Sequence, residues 1–444
     1  MSLKHHKAHA APTKDFFIRM ITRDISLVDC ILDLLDNCID GARRSVSKAG
    51  GNSSQLSGFE ASLELSNDHF RISDNCGGIT LNDAVNYAFH FGRRPDAPAD
   101  VDGAIGLYGI GMKRAIFKMA KSARVESSPS GEQPFAVTVD VEAWRDLDDW
   151  DFEITELPAA TTSSGTSIIL THLHASVASS FSDPTFRNEL IRTIARDYAF
   201  IANAGFKVKV NEQLVPDYGY SLKTGAEIQP GVIEYEDDGV GVRIVAGLIQ
   251  DLEDEIPAEL KPVDSARFGW YIVCNDRVIV AADKTALTVW GNQGFSLWHP
   301  QYNGFAGFLF MSSDDPTKLP WTTTKREVDI ADLRYMKALV SMKELTGQFI
   351  AYTNARRADL EEARKAEFAA NQVEVRTATG SAAMGLPKVK ASAAPYAPHV
   401  TISYSKPKSQ VKEVAEALGH FGMSGSEVGR QTFDYFRRME LGKK

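Results

Sequence analysis

The sequence predicts an α+β protein assembled from successive helix-and-strand domains. Two observations carry that expectation: a helical apolar period over residues 26–40 gives way to strand alternation in FEASLELS and FRISDN, and the same order restarts near residue 187. A third, one strand and two helices after residue 398, adds a small terminal unit. The 444 residues allow two or three domains, and 43% apolar with 24% charged residues is a globular composition. No apolar run approaches the roughly 18 residues of a membrane span. The opening MSLKHHKAHAAPTKDFF lacks a signal-peptide core, so cytoplasmic residence without membrane contact is expected. Cys30, Cys38, Cys76 and Cys274 form no CxxC pair and read as buried thiols, while His5, His6 and His9 read as part of a flexible arm. A net charge of -9 argues against a nucleic-acid-coating surface, although a local basic patch is compatible with it.

Ser26 can cap the first helix, which is free of Pro and Gly to Asp40 and is expected to end near Gly41. Asp29, Asp33, Asp36, Asn37 and Asp40 share one face of it, and Leu27, Val28, Cys30, Ile31, Leu32, Leu34, Leu35 and Ile39 occupy the rest. An amphipathic helix showing its stripe to water carries this pattern. So does a helix whose stripe lines a cavity and holds a cation, because packed carboxylates repel unless a metal or proton compensates them. Asn37 would add a neutral oxygen suited to Mg2+.

The hairpin ends in DNCGGI, where glycines let the backbone turn tightly beside a flat ligand, although such clusters often mark a turn alone. Next comes IGLYGIGMKRAIFKMA, in which Gly106, Gly109 and Gly111 precede a helix bearing Met112, Ala115, Ile116 and Met119. A glycine-rich helix start exposes N–H groups and a positive dipole end, which suit a polyphosphate, and Lys113 and Arg114 add charge there. The loop before it is rich in Pro and Asp, not a strand, which argues against a dinucleotide fingerprint, and no Walker sequence is present.

The order of acidic helix, Asp-turn-glycine, GxxGxG loop and SSGTSIIL resembles the gyrase, heat-shock chaperone, histidine kinase and MutL (GHKL) superfamily of ATPases over roughly residues 12 to 350. The resemblance implies a Bergerat-type α/β sandwich over 1–185 that binds ATP and Mg2+. Asn37 then matches the metal-binding asparagine and Asp33 the general base, where the family usually has glutamate. Asp40 matches a frequent acid near the lid, as does Asp36. Asp74 matches the aspartate that reads the adenine amino group, and Gly78 keeps a motif glycine while Cys76 and Gly77 displace its partner. Gly106, Gly109 and Gly111, with Met112 and Lys113, match the phosphate-wrapping end of a lid running from about Phe89 to Leu107. Thr166 matches the threonine that reaches the adenine side through water, although Gly165–Thr166 would otherwise be an ordinary turn into a strand.

Residues 186–350, with RNELIRTIARDYAFIANAG, FKVKVNEQ, GVRIVAGLI and WYIVCNDRVIVA, look like a transducer-type α/β domain, closest to the MORC and MutL branch. The resemblance makes Lys325, in KLPWTTTKREVD, the sensor of the γ-phosphate; without it a lysine on a polar loop reads as solvated. One long charged helix is expected from about Ile330 to Asn371, within a helix-and-linker region over 351–397 whose Ala-, Ser-, Pro- and Gly-rich part, VEVRTATGSAAMGLPKVKASAAPYAP, is the linker. Residues 398–444 look like a ribbon-helix-helix module: Val400, Ile402 and Tyr404 alternate as a strand, Thr401, Ser403 and Ser405 face outward, and Ser424 or Ser426 caps the last helix. Eight basic residues against five acidic ones in this tail favour DNA mildly, whereas the lack of an arginine on the ribbon favours a small dimerisation unit or a helical hairpin packed on the main body.

The resemblance therefore implies a Mg2+-dependent ATPase, slow because of Asp33, that forms a homodimer on ATP and clamps double-stranded DNA. A chaperone-like ATPase acting on other proteins and a non-hydrolysing ATP-gated switch are the alternatives. Histidine kinase is not expected with about 25 residues before the first motif, nor a type II topoisomerase at this length.

Overall fold

The computed structural model describes residues 12–52, 54–98, 101–106, 109–158, 164–249, 267–292, 294–357, 359–388, 402–419 and 422–442. His5, His6, His9, Val400 and Thr401 lie outside them, as do residues 99, 100 and 107 of the expected lid. The chain forms two compact units, 1–391 and 392–444.

The first unit opens with α1 (Lys14–Arg23) and α2 (Leu27–Lys48); the Ser26 hydroxyl caps α2 by accepting the Asp29 N–H at 3.1 Å. Helix α2 does not end near Gly41 as the sequence suggested but runs on to Lys48. Gly41 serves close approach instead of termination, since a Cβ there would lie 3.2 Å from the Cβ of Cys76. The expected hairpin follows as β1 (Glu60–Leu65) and β2 (His69–Asp74), with Ala61 opposite Asp74. Then come the one-turn α3 (Leu81–Asp83), α4 (Gly111–Met119), β3 (Ala120–Ser128), β4 (Phe135–Asp140), α5 (Val141–Asp146), β5 (Ile154–Glu156) and β6 (Gly165–Leu173). Helices α6 (Ala175–Ser182), α7 (Pro184–Asp197) and α8 (Ala199–Asn203) lead to β7 (Lys207–Val210) and β8 (Gln213–Leu214).

These strands make one sheet in the order β5-β4-β3-β6-β2-β1-β7-β8, parallel only between β1 and β7. Burial alternates along β1 and β2, so Ala61, Leu63, Leu65, Phe70 and Ile72 form a face that packs into the core with the apolar sides of α2 and α4. FKVKVNEQ, expected as a strand of the next domain, is instead part of this sheet as β7, beside β1. A parallel neighbour for β1 needs a long crossover, and α6 to α8 supply it.

The second sheet uses β10 (Gly231–Asp237), β11 (Val240–Leu248), β12 (Gly269–Cys274), β13 (Arg277–Asp283) and β14 (Phe305–Ser312) in the order β10-β11-β14-β12-β13, after a separate strand β9 (Ser221–Thr224). Strand β12 is buried along its whole length. Trp270, Ile272 and Cys274 join Met342, Leu345 and Phe349 of α9 (Leu333–Arg356), while Tyr271 and Val273 join Phe200 and Tyr220. The single long helix expected to residue 371 is two, α9 and α10 (Leu360–Ala369), braced by the buried Arg356–Glu367 ion pair at 2.7 Å.

Much of the expected linker is packed structure. Strand β15 (Asn371–Glu374) pairs with β9, Gly385 bridges to Gln229, and Val375, Ala378 and Met384 are buried. Small residues that suggested flexibility are there for proximity: a Cβ on Gly380 would meet the Pro230 carbonyl at 2.1 Å.

In the second unit, α11 (Lys408–Ala417) and α12 (Gly425–Leu441) match the expected helices, with Ser424 as the cap of α12. Residues 402–407 form no strand, so the ribbon expected at Ile402 and Tyr404 is not made within this chain. Of its described residues only Ala415 and Val428 are buried apolar side chains, whereas Ile402, Tyr404, Phe433, Tyr435, Phe436, Met439 and Leu441 are each more than half exposed. No helix among the described residues is long and apolar enough to cross a membrane.

Val375→Asp discriminates a packed segment from a linker. A carboxylate at this fully buried position is expected to cost about 3 kcal/mol, read as a lower urea midpoint; an unchanged midpoint would restore the linker.

Candidate functional site

The acidic face of α2, the turn after β2, the start of α4 and the start of β6 enclose a cavity of about 780 Å³, within the range of small-molecule sites. It is lined by Asp33, Asn37, Asp40, Asp74, Gly78, Gly106, Gly109, Gly111, Met112, Lys113, Thr166 and Lys325, whereas Asp29 and Asp36 of the same stripe do not line it. The water-facing reading of the stripe fails. Asp33, Asp36 and Asp40 are buried and Asn37 alone among them is exposed, into the cavity.

One wall is built on Asp74, the last residue of β2. Its Oδ1 accepts the N–H groups of Cys76 at 2.8 Å and Thr166 at 3.3 Å, which locks the turn to the first residues of β6. Burial pushes the carboxyl above its usual range, against those donors and the nearby Cys38 and Cys76 thiols. Gly77 and Gly78 both have left-handed backbones, with φ of 97° and 73°, and a Cβ on Gly78 would sit 2.9 Å from the backbone of Ser128 and Pro129. The displaced glycine pair thus preserves a tight approach that Cys76, buried against Gly41, does not provide.

Beside it, Asp40 anchors the root of the lid by accepting the N–H groups of Ile105 at 2.9 Å and Gly106 at 2.7 Å. Burial raises its carboxyl, opposed by Arg44, Arg43 and these amides. The close approach leaves no room for a side chain, since a Cβ on Gly106 would meet Asp40 Oδ2 at 2.9 Å.

Helix α4 begins at Gly111 against Asp33; a Cβ there would lie 3.3 Å from the Asp33 Cγ. The two cations expected to face phosphate are directed elsewhere. Lys113 donates to the carbonyls of Ala88, at 2.9 Å, and Gly109, pinning the lid, and burial pulls its ammonium down to about 7. Arg114 donates to Asp33 Oδ2.

Lys325 is not a solvated loop lysine. It sits in a turn closed by the Trp321–Val328 bridge, is buried, and places Nζ 2.7 Å from Asp36 Oδ2 and 3.8 Å from Asp33 Oδ1. Its φ of 53° is unusual for a residue with a Cβ, a conformation worth on the order of 1–3 kcal/mol of strain that surrounding contacts must offset. Asp36 also accepts from Arg277 and, at 2.7 Å, from the Tyr198 hydroxyl. Burial opposes ionisation of Asp36, but Arg277 and Lys325 outweigh it and hold the carboxyl below the usual range.

The compensation expected from a metal therefore comes from protein cations. Arg114, Lys325 and Arg277 face Asp33 and Asp36, three positive charges against two negative. Among the described residues no group of three or more His, Cys, Asp or Glu side chains is arranged to hold a metal ion.

Sequence reasoning missed Arg277 and Tyr198, and read Arg114 only as added positive charge at the start of α4. An arginine inside the apolar run WYIVCNDRVIVA was the available signal, because a buried guanidinium requires a carboxylate partner. Nothing local marks Tyr198.

Glycine turns beside a buried acceptor and the N-terminus of α4 beside buried cations thus open on one cavity of an α+β domain. The model of the histidine kinase-, DNA gyrase B-, and HSP90-like ATPase family matches residues 25–168. That segment holds every candidate cavity residue except Lys325, and the match supports the GHKL superfamily and ATP binding for it. No match to a curated protein was found.

Lys113 gives a pH test. Its folded-state value near 7 lies below the unfolded 10.5, so the unfolded chain binds the extra proton between those limits and stability rises with pH through that window. Relative to Lys113→Met, the wild type should gain about 1.4 kcal/mol per pH unit between pH 7.5 and 9.5; parallel curves from urea unfolding would contradict this.

Proposed function

We propose that this protein is a Mg2+-dependent ATPase of the GHKL type, with a Bergerat-like nucleotide domain and a transducer-like second sheet closest to the MORC and MutL branch. The observation that carries the reading is the set of buried cations, Arg114, Lys325 and Arg277, held by Asp33 and Asp36 where α4 presents its N-terminus to the cavity. Cations beside a helix N-terminus favour an entering anion. Asp36 keeps Arg277 and Tyr198 if Lys325 turns toward a γ-phosphate, so Lys325 is the cation that can move.

Asp74 accepts from the adenine amino group, with Thr166 and Gly78 shaping that wall. The Gly106, Gly109 and Gly111 backbone with Met112 encloses the phosphates, Asp40 holds the lid root, and Asp33 orients the attacking water. The donor set fits magnesium held mainly by its nucleotide. Asn37 offers one oxygen to the cavity while the neighbouring aspartates are engaged, and Mg2+ in such sites takes few protein ligands alongside phosphate and water. When bound, the ion offsets phosphate charge.

The reading extends to a homodimer that closes on ATP around double-stranded DNA, as in the clamp proteins the sequence resembles. The exposed Phe433, Phe436 and Met439 on α12 support self-association. A second reading, an ATP-gated switch without hydrolysis, is favoured by Asp33 being one methylene shorter than glutamate and engaged by Arg114.

Phosphate release from Mg-ATP separates the two. Turnover in the wild type that falls at least about a hundredfold in Asp33→Asn is expected, with stimulation by duplex DNA. ATP binding without release in either protein would leave the switch, and stimulation by denatured protein in place of DNA would replace the DNA clamp with a chaperone.

A further inference from the structure

The base assigned to Asp33 raises a question that its neighbours answer. A carboxylate on a short side chain has two equivalent oxygens and a freely turning χ2, yet only one orientation can serve a water at a fixed phosphate. Here α4 acts on it from two sides. The Gly111 backbone comes close enough that a Cβ would lie 3.3 Å from Asp33 Cγ and 3.4 Å from Oδ2, and Arg114, one turn further along, donates to that same Oδ2. The remaining oxygen, Oδ1, faces Lys325 Nζ at 3.8 Å, beyond hydrogen-bond reach. Arg114 is itself buried, and its Nε has no hydrogen-bond partner among the described residues, so the ion pair with Asp33 aims the guanidinium.

We propose that Arg114 is a positioning residue for Asp33: it occupies Oδ2 and fixes the carboxylate plane, so that Oδ1 alone addresses the attacking water once Lys325 is drawn toward the γ-phosphate. This rests on the reading of Asp33 as the base of an ATPase. The arrangement ties the base to the helix that receives the phosphates, so nucleotide and base are aligned by one rigid element. It also accounts for an arginine at the start of α4 that does not turn to the phosphates: its charge is used to orient a carboxylate.

Steady-state ATP turnover tests it with the full chain. Arg114→Ala is expected to lower kcat by about a hundredfold, as misplacing a reacting group does, with a much smaller rise in KM for ATP, up to about tenfold, from the positive charge that is lost. Arg114→Lys, which keeps a donor and a charge, should recover part of the loss, and methylguanidinium added to Arg114→Ala should recover part as well. A purely structural arginine would not produce that split or respond to the added cation. Unchanged kcat in Arg114→Ala, a rise in KM at constant kcat, or a loss that neither Lys nor methylguanidinium relieves in a protein that still binds ATP would overturn the proposal. Should Arg114→Ala fail to fold, Arg114→Lys alone decides: KM kept with kcat reduced supports positioning, and wild-type kcat or a loss confined to ATP affinity refutes it. A wild type without turnover removes the ATPase reading itself, whereas an active wild type matched by an active Arg114→Ala removes only the role of Arg114.

Discussion

Two buried carboxylates, Asp33 in the cavity wall and Asp36 outside its lining, constrain the segments around them. Left alone in the core each would be neutralised or unfold its surroundings; breaking a buried pair costs about 3–5 kcal/mol. The sequence satisfies them from three distant places: Arg114 on α4, Arg277 on β13 and Lys325 on the loop before α9. That requirement brings the second sheet onto α2 and places a lysine beside the cavity, in a backbone conformation it would not choose by itself.

The same logic extends to the lid. Asn275, in the left-handed turn between β12 and β13, donates to the Ala104 carbonyl at 2.8 Å and to Ser313 at 3.0 Å, and Arg43 of α2 reaches Gly103, Asn275 and Asp276. The root of the lid is therefore held by α2 and by the second sheet together. Lys325 and Asn275 thus link the cavity wall and the lid root to the segments that carry the second core.

How much of this the sequence revealed follows from range. The helix with its Ser26 cap, the β1–β2 hairpin, the glycine loop before α4 and the Ser424 cap are local patterns, and they stand as read, apart from the extra length of α2 past Gly41. The cavity membership of Asp33, Asn37, Asp74 and Lys325 was legible through motif order. What was not legible depends on contacts between distant segments. β7 belongs to the first sheet because β1 offers it an edge, and VEVRTATG is packed because Val375 and Ala378 find a core, though its composition is that of a linker. The charges of Lys113 and Arg114 were read by proximity to the glycines, whereas their partners, the Ala88 carbonyl and Asp33, lie 25 and 81 residues away in sequence.

The proposed role of Lys325, beside Asp33 and Asp36, is to meet the terminal phosphate of ATP. Calorimetric titration of the wild type and Lys325→Met with Mg-ATP and Mg-ADP tests it most directly. The wild type is expected to bind ATP more tightly than ADP, and the substitution to remove the difference while leaving ADP affinity nearly unchanged. Equal affinities in the wild type, or a preference for ATP that survives without the lysine, would contradict it.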